Sequence, residues 1–333
     1  MLHQDDDGRW DADGFMKHDR EGAPADGPGD AMHDVGVTAL SLLALSANGV
    51  TGKSGEHKAS YRRGVEWLVG QQNLDSGCFV PDLAARRIYD HVLATLAMVE
   101  AAALTGNESW RRSAQQAITH LESHRNPYAC FGYDPRDNNN SMSLTAWCLE
   151  AYCAAASAGL EVNDNAVKLM ATFYDQVSDP SGNHGYAKQG DPSSRDSDDH
   201  ATRYPPAKIA TLTAAGLFGR YLLGQRSKES PIMNAAAALV ASRPPVWDVK
   251  GGGIDECYFY FGSHALHQHG DPAWKKWRRD LLTTVTAAQR QDGNFAGSWD
   301  PVGAWSAHGG RVYSTAMLAL SLLAPTRYER RSR

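Results

Sequence analysis

Apolar residues recur at steps of three and four along most of the chain, which is the period of an α-helix. The helical stretches come in pairs. The first member is almost uniformly apolar and the second carries regularly spaced charges, as in HDVGVTALSLLALSANG followed by YRRGVEWLVGQQ. A turn with glycine and an aromatic residue closes each pair, and the two-residue alternation of β-strands is nearly absent. The sequence therefore predicts an all-α protein built from helical hairpins.

The first helices of the pairs recur about 50 to 65 residues apart along the whole chain. We predict that they begin at Asp34, Tyr89, Ser141, Ala207, Asp255 and Val312. A helix that is apolar on all sides must be buried on all sides, so these helices should form an inner ring and the charged helices an outer one. The predicted architecture is a single α/α toroid with six inner helices and at least five outer helices.

Short polar side chains precede several of these helices and suit the N-cap position, where they accept hydrogen bonds from free backbone N–H groups. The predicted N-caps are Asp34, Asp90, Ser141 and Asp255.

Residues 1–33 hold the turn half of a repeat without its outer helix, and residues 34–333 form the predicted toroid within one domain overall. We expect the sixth outer helix to come from a segment upstream of Met1. Without it, apolar groups such as Leu318 and Leu322 should be exposed at the seam between the last inner helix and the first.

Composition excludes several classes of function. A net charge of −5 and an ordinary charged fraction of 21% give no sign of nucleic-acid binding. The five cysteines are odd in number and irregular in spacing, which favours reduced thiols over disulfides. The longest strongly apolar runs are too short for a membrane span, and the aspartate-rich start is not a signal peptide. We predict a cytoplasmic protein without a cofactor.

One repeat has a specific resemblance. Arg63-Gly64-Val65-Glu66-Trp67-Leu68, then Gln72 and Gly77-Cys78-Phe79, resembles the QW repeat of squalene and oxidosqualene cyclases, and its second half recurs after Gln4 and Gln289. The pattern also resembles repeats of protein prenyltransferases and of bacterial single-toroid proteins. The resemblance implies a toroid that handles isoprenoids. The glutamines themselves are predicted to bond turn backbone beneath an aromatic cover, which is a structural role.

Two motifs suggest chemistry. Asp196-Ser197-Asp198-Asp199 resembles the Asp-x-Asp-Asp acid of protonation-initiated terpene cyclases, in which neighbouring carboxylates raise the pKa of the central acid. The candidate catalytic residues are Asp196, Asp198 and Asp199. The surrounding residues are polar and turn-forming, so Asp198 and Asp199 are also expected to be exposed on a mobile loop, which would disfavour the acid role.

The second motif concerns zinc. Asp255-Glu256-Cys257-Tyr258 resembles the zinc ligands of prenyltransferase β-subunits, but Ser314 stands where the resemblance implies a third, histidine ligand. Nearby histidines are His264, His267, His269 and His308. We predict no metal site.

The starts of the inner helices should meet at one end of the ring, around a cavity. The candidate cavity residues are Tyr89, His91, Tyr204, Asp255, Tyr258, Tyr260, Arg311 and Tyr313. Aromatic walls with few polar groups are typical of sites for apolar ligands.

The leading hypothesis is a protein that binds or cyclises an apolar polyprenoid in this cavity. The alternative is a non-catalytic toroid that serves as a ligand-binding or protein-interaction module. A sugar-active enzyme also stays open, since carboxylates are abundant, although no pair is fixed at the required separation.

Overall fold

The chain folds into α-helices joined by turns and short 3-10 segments. A computed structural model describes residues 3–81, 86–128 and 130–328. Among these residues it contains thirteen α-helices and no β-strand. In chain order they are α1 (Asp34–Ala47), α2 (Lys58–Gln71), α3 (Ile88–Thr105), α4 (Glu108–His124), α5 (Met142–Ser157), α6 (Asp164–Val177), α7 (Asp198–Arg203), α8 (Thr211–Leu222), α9 (Pro231–Ser242), α10 (Glu256–His269), α11 (Ala273–Ala288), α12 (Ser306–Leu322) and α13 (Ala324–Arg327).

Six of these helices form a closed inner ring. α1 packs on α3, contact passes on through α5, α8 and α10 to α12, and α12 packs against α1 again. Helices α2, α4, α6, α9 and α11 lie outside, each against the inner helix that precedes it. The structure therefore confirms the predicted α/α toroid, with six inner and five outer helices in the described residues. We call the end where the inner helices begin the upper end, and the opposite end the lower end.

The inner helices are buried because neighbours cover them on every side. α3 shows this most clearly, since it is long and apolar enough by length and composition to cross a bilayer, yet 78% of it is buried inside the ring. α4, in contrast, buries one stripe that includes Trp110, Ile118 and Leu121 and leaves its charged residues outside. The difference in burial between the two helices of a pair therefore follows the sequence pattern.

The glutamines of the repeat bond turn backbone as the sequence predicts. Gln72 donates from Nε2 to the carbonyls of Gly77 at 2.9 Å and Ser113 at 3.0 Å, which fixes the turn against α4. Gln4 repeats the arrangement on Gly8 at 2.7 Å and Ser60 at 2.8 Å. Buried side-chain amides with both functions satisfied hold turns firmly. These residues therefore stabilise the scaffold.

The N-terminal segment covers the upper part of the seam between α12 and α1. Gly27 accepts the N–H of Arg311 at 2.8 Å, and the N–H of Asp30 donates to the carbonyl of His308 at 2.8 Å. Gly310 interrupts α12 with a φ of 62°, and a Cβ there would lie 2.3 Å from the nitrogen of Gly29. Only glycine allows this close approach of the two chain segments.

The predicted exposure at the seam is wrong for Leu318. Leu318 is fully buried, and Leu322 is half-buried. Neighbouring elements contribute the cover, because α11 and the short α13 both pack against α12 and α13 also contacts α1. A patch centred on Leu318 is therefore not part of the described surface.

Two of the predicted N-caps are correct and two are not. Ser141 and Asp255 accept the N–H groups of Leu144 and Tyr258 and cap α5 and α10. Asp34 and Asp90 lie inside the first turns of α1 and α3 and use their carboxylates for other partners. α8 begins at Thr211 and not at Ala207, because Pro206–Lys208 forms a separate 3-10 turn.

Candidate functional site

A pocket opens at the upper end of the ring. Its volume is about 160 Å³, and the first turns of all six inner helices contribute to its walls. The lining residues are His33, Gly36, Val37, Leu40, Arg86, Tyr89, Asp90, Leu93, Tyr133, Ser143, Trp147, Ser193, Ser194, Thr211, Leu212, Ala215, Cys257, Phe261, Trp305, His308, Gly309, Tyr313 and Met317. The position agrees with the expectation that the inner-helix starts surround a cavity.

The floor of the pocket is apolar. Leu40, Leu93, Phe261 and Met317 face it from four inner helices, and Trp147 closes it from below. The Trp147 indole stacks on the ring of Tyr260, with centroids 4.8 Å apart. A deep ligand would therefore meet carbon atoms almost exclusively.

Charged and aromatic side chains occupy the space beneath Trp147. Arg327 reaches in from α13, with Nη2 at 2.7 Å from Glu100 and 3.4 Å from Glu150. The hydroxyls of Tyr260 and Tyr328 donate to Glu150 at 2.6 and 2.7 Å. Burial raises the pKa of Glu150, which is 1% exposed. The pocket thus ends above this network, which we call the lower network.

A buried acid–base pair lies in the pocket wall. Asp90 Oδ2 is 2.9 Å from Nδ1 of His33, at the junction of α3 and the segment before α1. Burial raises the pKa of Asp90, and the hydrogen bond from His33 partly opposes this shift. Burial works to lower the pKa of His33, but Asp90 outweighs it and the pKa is raised. A Cβ on Gly36 would lie 2.2 Å from Asp90 Oδ1, so glycine makes room for the carboxylate.

Hydroxyl groups form a second polar corner. The Tyr186 hydroxyl donates to that of Tyr133 at 2.5 Å, and the Tyr89 hydroxyl lies 2.9 Å from Ser143 Oγ. Burial works to raise the pKa of Tyr133, but the hydrogen bonds it accepts and the charge of Arg86 lower it overall. The guanidinium of Arg86 lies over the Tyr133 ring at 4.8 Å from its centroid.

The aspartate motif lies at the mouth of the pocket. Asp196 binds Arg86 at 2.7 Å and His308 at 2.9 Å, and both partners line the pocket. Asp198 and Asp199 begin α7 and are exposed to solvent. The three predicted catalytic residues therefore separate, since only Asp196 approaches the pocket and none of them is buried.

The predicted cavity residues also separate. Tyr89 and Tyr313 line the pocket, and the hydroxyl of Tyr313 lies 3.3 Å from the Cys257 sulfur. On α10, Cys257 and Phe261 face the pocket one turn apart, which turns Tyr258 outward and Tyr260 downward. Accordingly Tyr258 donates to the carbonyls of Val240 and Arg243, and Tyr260 belongs to the lower network.

The other four predicted cavity residues have structural partners outside the pocket. His91 accepts the N–H of Phe79 and packs on His120 of α4. Tyr204 donates to the carbonyl of Val302, and Asp255 caps α10 and accepts from Thr211 at 2.9 Å. Arg311 pairs with Asp26 and Asp300 on the side of the N-terminal segment.

The histidines near the zinc-like motif lie apart from it. His264 stacks on Phe218 with centroids 5.2 Å apart, and His269 lies 2.9 Å from the Tyr221 hydroxyl. Ser314 donates to Glu256 at 3.0 Å. Elsewhere in the described residues, three carboxylates lie close enough together to share a cation: Asp11, Asp13 and Asp34. Lys17 already binds Asp11, and Arg9 already binds Asp34.

Sequence reasoning missed His33, Arg86, Trp147 and His308 as pocket residues. His33 and Arg86 lie in turns before the inner helices, and Trp147 lies in the second turn of α5, so counting from predicted helix starts does not reach them. The sequence HDVG does offer one signal. His33 stands directly before an apolar helix, where the helix itself does not require a histidine, and this points to another role for its side chain.

No family model matches this sequence, and no curated protein matches it in a sequence search. Solved structures do match in fold. An α-1,6-mannanase from a Salegentibacter species is 12% identical, covers 98% of this chain and 94% of its own, and gives a TM-score of 0.59. A cellobiose 2-epimerase from Bacillus thermoamylovorans is 14% identical over 97% of this chain and 94% of its own, with a TM-score of 0.61.

A type II terpene cyclase from Scytonema, in complex with geranylgeranyl dihydroxybenzoate, is 16% identical over 98% of this chain and 94% of its own, with a TM-score of 0.56. At these identities the likeness concerns the fold alone. The chain has the α/α toroid fold that these cyclase, epimerase and mannanase structures share.

Proposed function

We propose that this protein binds a small, mainly apolar molecule of the isoprenoid class in the upper pocket. The observation that carries the proposal is the division of the pocket into an apolar floor and a polar mouth. Leu40, Leu93 and Met317 offer apolar surface to branched hydrocarbon groups, while the charged groups of Arg86 and His308 lie at the entrance. Such a site suits a ligand with one apolar and one polar end.

The volume limits the size of the ligand. A cavity of roughly 150 Å³ holds a benzene-sized molecule, and drug-sized ligands need about 300 to 1,000 Å³. At about 160 Å³ the pocket takes one short isoprenoid chain, or the end of a longer one that extends through the mouth. Enclosing a whole polyprenoid for cyclisation would require more space, since Trp147 and the lower network occupy the rest of the barrel.

The structural neighbours include one protein with an isoprenoid-containing ligand and one with a sugar ligand. The terpene cyclase structure holds a prenylated aromatic substrate, and mannotriose occupies a mannanase structure. The pocket composition favours the first class, because a sugar presents hydroxyls on all sides and would leave several of them unpaired against the apolar floor.

Isothermal titration calorimetry with geraniol and with cellobiose tests the proposal. We expect geraniol to bind and cellobiose to give no heat. Ala215→Phe places a ring in the pocket and should weaken geraniol binding by about tenfold or more, since a ligand and a ring cannot share the space. Ala207→Phe, on the exposed segment before α8, is the matched control and should leave the affinity unchanged. Cellobiose binding that Ala215→Phe abolishes would contradict the proposal.

A second candidate is an enzyme that moves protons, and the Asp90–His33 pair favours it. Asp90 is a buried carboxyl whose pKa is raised by burial, and His33 lies 2.9 Å away as a partner that can exchange a proton with it. A proton given to one carbon and lost from another gives an isomer of the substrate with no change in composition.

Incubation with geraniol in D2O, followed by mass spectrometry, tests this candidate. The wild-type protein should incorporate deuterium into carbon positions or form an isomer. Asp90→Asn should lose this activity and keep geraniol binding. Asp198→Asn, on the exposed motif, should change neither. Activity retained in Asp90→Asn would remove this candidate and leave the binding proposal standing.

A further inference from the structure

The mouth of the pocket holds one carboxylate between two nitrogen groups. Arg86 donates from Nη1 to Oδ1 of Asp196 at 2.7 Å, and His308 Nε2 lies 2.9 Å from Oδ2. Both nitrogen groups line the pocket, whereas the carboxylate reaches them from the segment above it. The contact therefore shows, in this chain itself, how the mouth receives an anionic oxygen pair.

The two nitrogen groups are also held by contacts that do not involve Asp196. Arg86 adopts a φ of 64°, in the left-handed region, and lies over the ring of Tyr133. A non-glycine residue in that region is strained and is kept there only when surrounding contacts require it. His308 meets the ring of His33 edge-on at 5.6 Å and stacks on Trp305 at 6.2 Å.

The ion pairs of Asp196 with Arg86 and His308 hold its side chain only weakly. The side chains of Arg86, Asp196 and His308 are 33%, 36% and 48% exposed, and ion pairs exposed to this degree contribute little. His200 is held mainly by the backbone, because its Nδ1 accepts the N–H of Asp196 at 3.1 Å and its Nε2 lies 2.7 Å from the carbonyl of Ala304, while Oδ2 of Asp196 is farther from Nδ1, at 3.4 Å.

Only the Asp196 side chain has to move for the position to be vacated. The adjacent Arg195 keeps the segment on the protein, since it donates to the carbonyl of Tyr204 at 2.9 Å and lies over the ring of Trp305. Rotation of the Asp196 side chain toward solvent leaves these contacts unchanged.

The remaining charges near the mouth favour an anion. Asp90 is the carboxylate among the described residues that line the pocket, and His33 pairs with it at 2.9 Å. Once Asp196 turns away, the Arg86 guanidinium has no carboxylate partner at the mouth among the contacts described for it. A ligand with a single carboxylate would restore the charge balance while its apolar chain fills the floor.

We propose that Arg86 and His308 form a head-group site for a carboxylate ligand, and that Asp196 occupies this site as a built-in competitor. The proposal rests on the proposed function, because it assigns the polar end of the same isoprenoid-like ligand. It also gives the aspartate motif a role that its exposure at the mouth permits.

Geranic acid and geraniol test this inference, because they share one chain and differ in the head group. By calorimetry at neutral pH, Asp196→Asn should tighten geranic acid binding by about threefold to fivefold and leave geraniol within about twofold. Arg86→Gln should weaken geranic acid binding by about tenfold, the value of a charge-assisted hydrogen bond, and again spare geraniol.

Asp198→Asn is the matched control, since it removes a neighbouring charge that has no contact with Arg86 or His308, and it should change neither affinity. The side chains of Arg86 and Asp196 are 33% and 36% exposed and Asp198 is exposed, so the substitutions should be tolerated, and melting curves check that the variants fold.

Equal tightening of both ligands by Asp196→Asn would mean that Asp196 blocks the pocket without selecting a head group, and it would overturn the inference. So would geraniol binding with no preference for geranic acid in any variant, an outcome that leaves the proposed function intact. Binding of neither ligand would overturn both.

Discussion

The upper and lower halves of the barrel use the same six helices in opposite ways. At the upper end, small residues such as Gly36, Ser143 and Ala215 leave a pocket, and the Arg86 and His308 side chains at its mouth are exposed to solvent. Below Trp147, a guanidinium, two carboxylates and several aromatic rings are packed together, with Glu150 fully buried and Glu100 only 17% exposed. The ring geometry therefore does not decide where a cavity forms. The size of the side chains at each level decides it.

The largest effect should come from breaking the lower network. Arg327→Met removes the cation and leaves the fully buried Glu150 and the partly buried Glu100 without charge compensation, which should destabilise the fold by about 3–5 kcal/mol. Urea denaturation measures this. Arg226→Met, at an exposed arginine, is the control and should change stability by less than about 0.5 kcal/mol. Similar values for the two variants would mean that the lower half is not held by its charges.

A leucine pair on α3 tests whether the upper half is open. Leu96 is fully buried and lies away from the pocket, whereas Leu93 borders it. Leu96→Ala should cost about 3–4 kcal/mol, because it creates a new cavity in packed surroundings. Leu93→Ala should cost about 2 kcal/mol less, since one side of Leu93 already lacks packing partners. Equal losses by urea denaturation would show that the upper half is packed as tightly as the rest of α3.

The smallest effect concerns pH at the upper end. Burial raises the pKa of Asp34 from 3.8 to about 6, and the N–H of Ala12 and the charge of Arg9 only partly oppose it. Between about pH 4 and pH 6, the folded chain therefore holds a proton on Asp34 that the unfolded chain releases. The contribution of Asp34 to the free energy of unfolding is complete below about pH 4 and is lost as the pH rises through 6.

Asp34→Asn should remove that loss and gain about 1–2 kcal/mol relative to the wild-type protein between pH 4 and pH 7, once screening by water is allowed for. Thermal unfolding across this range measures the difference. Asp11, whose pKa is lowered to about 2 despite burial because Lys17 binds it, titrates below the window. An unchanged difference between the two proteins at pH 4 and pH 7 would contradict the assignment.

The sequence predicts the fold well because the fold depends on properties that a linear pattern records. The apolar inner helices, the charged outer helices and the staples at Gln4 and Gln72 all follow from periodicity and spacing. Errors occur where a residue has two suitable roles. Asp34 and Asp90 are good N-caps by type, but the helices begin at or before them, and their carboxylates bind Ala12 and His33 instead.

The site is predicted less well for a physical reason. A helix that is apolar all around has no stripe to show which side faces the barrel axis, so Tyr258 and Tyr260 cannot be told from Cys257 and Phe261 by pattern. The position of Asp196 is also invisible in the sequence, because the residues it meets, Arg86 and His308, lie more than one hundred positions away in each direction.

The seam between the two ends of the ring has a consequence for how the chain folds. Gly27 and Arg311, like Ala47 and Thr326, join parts of the chain separated by nearly the whole sequence. Hairpins from α1 to α10 can stack on their neighbours as they form, whereas the last contacts must close a very long loop, and contacts of this kind slow folding. Partly assembled chains would present the open edges of α1 and α10 until α12 arrives. Ring closure should therefore be the step at which this protein is most exposed to aggregation.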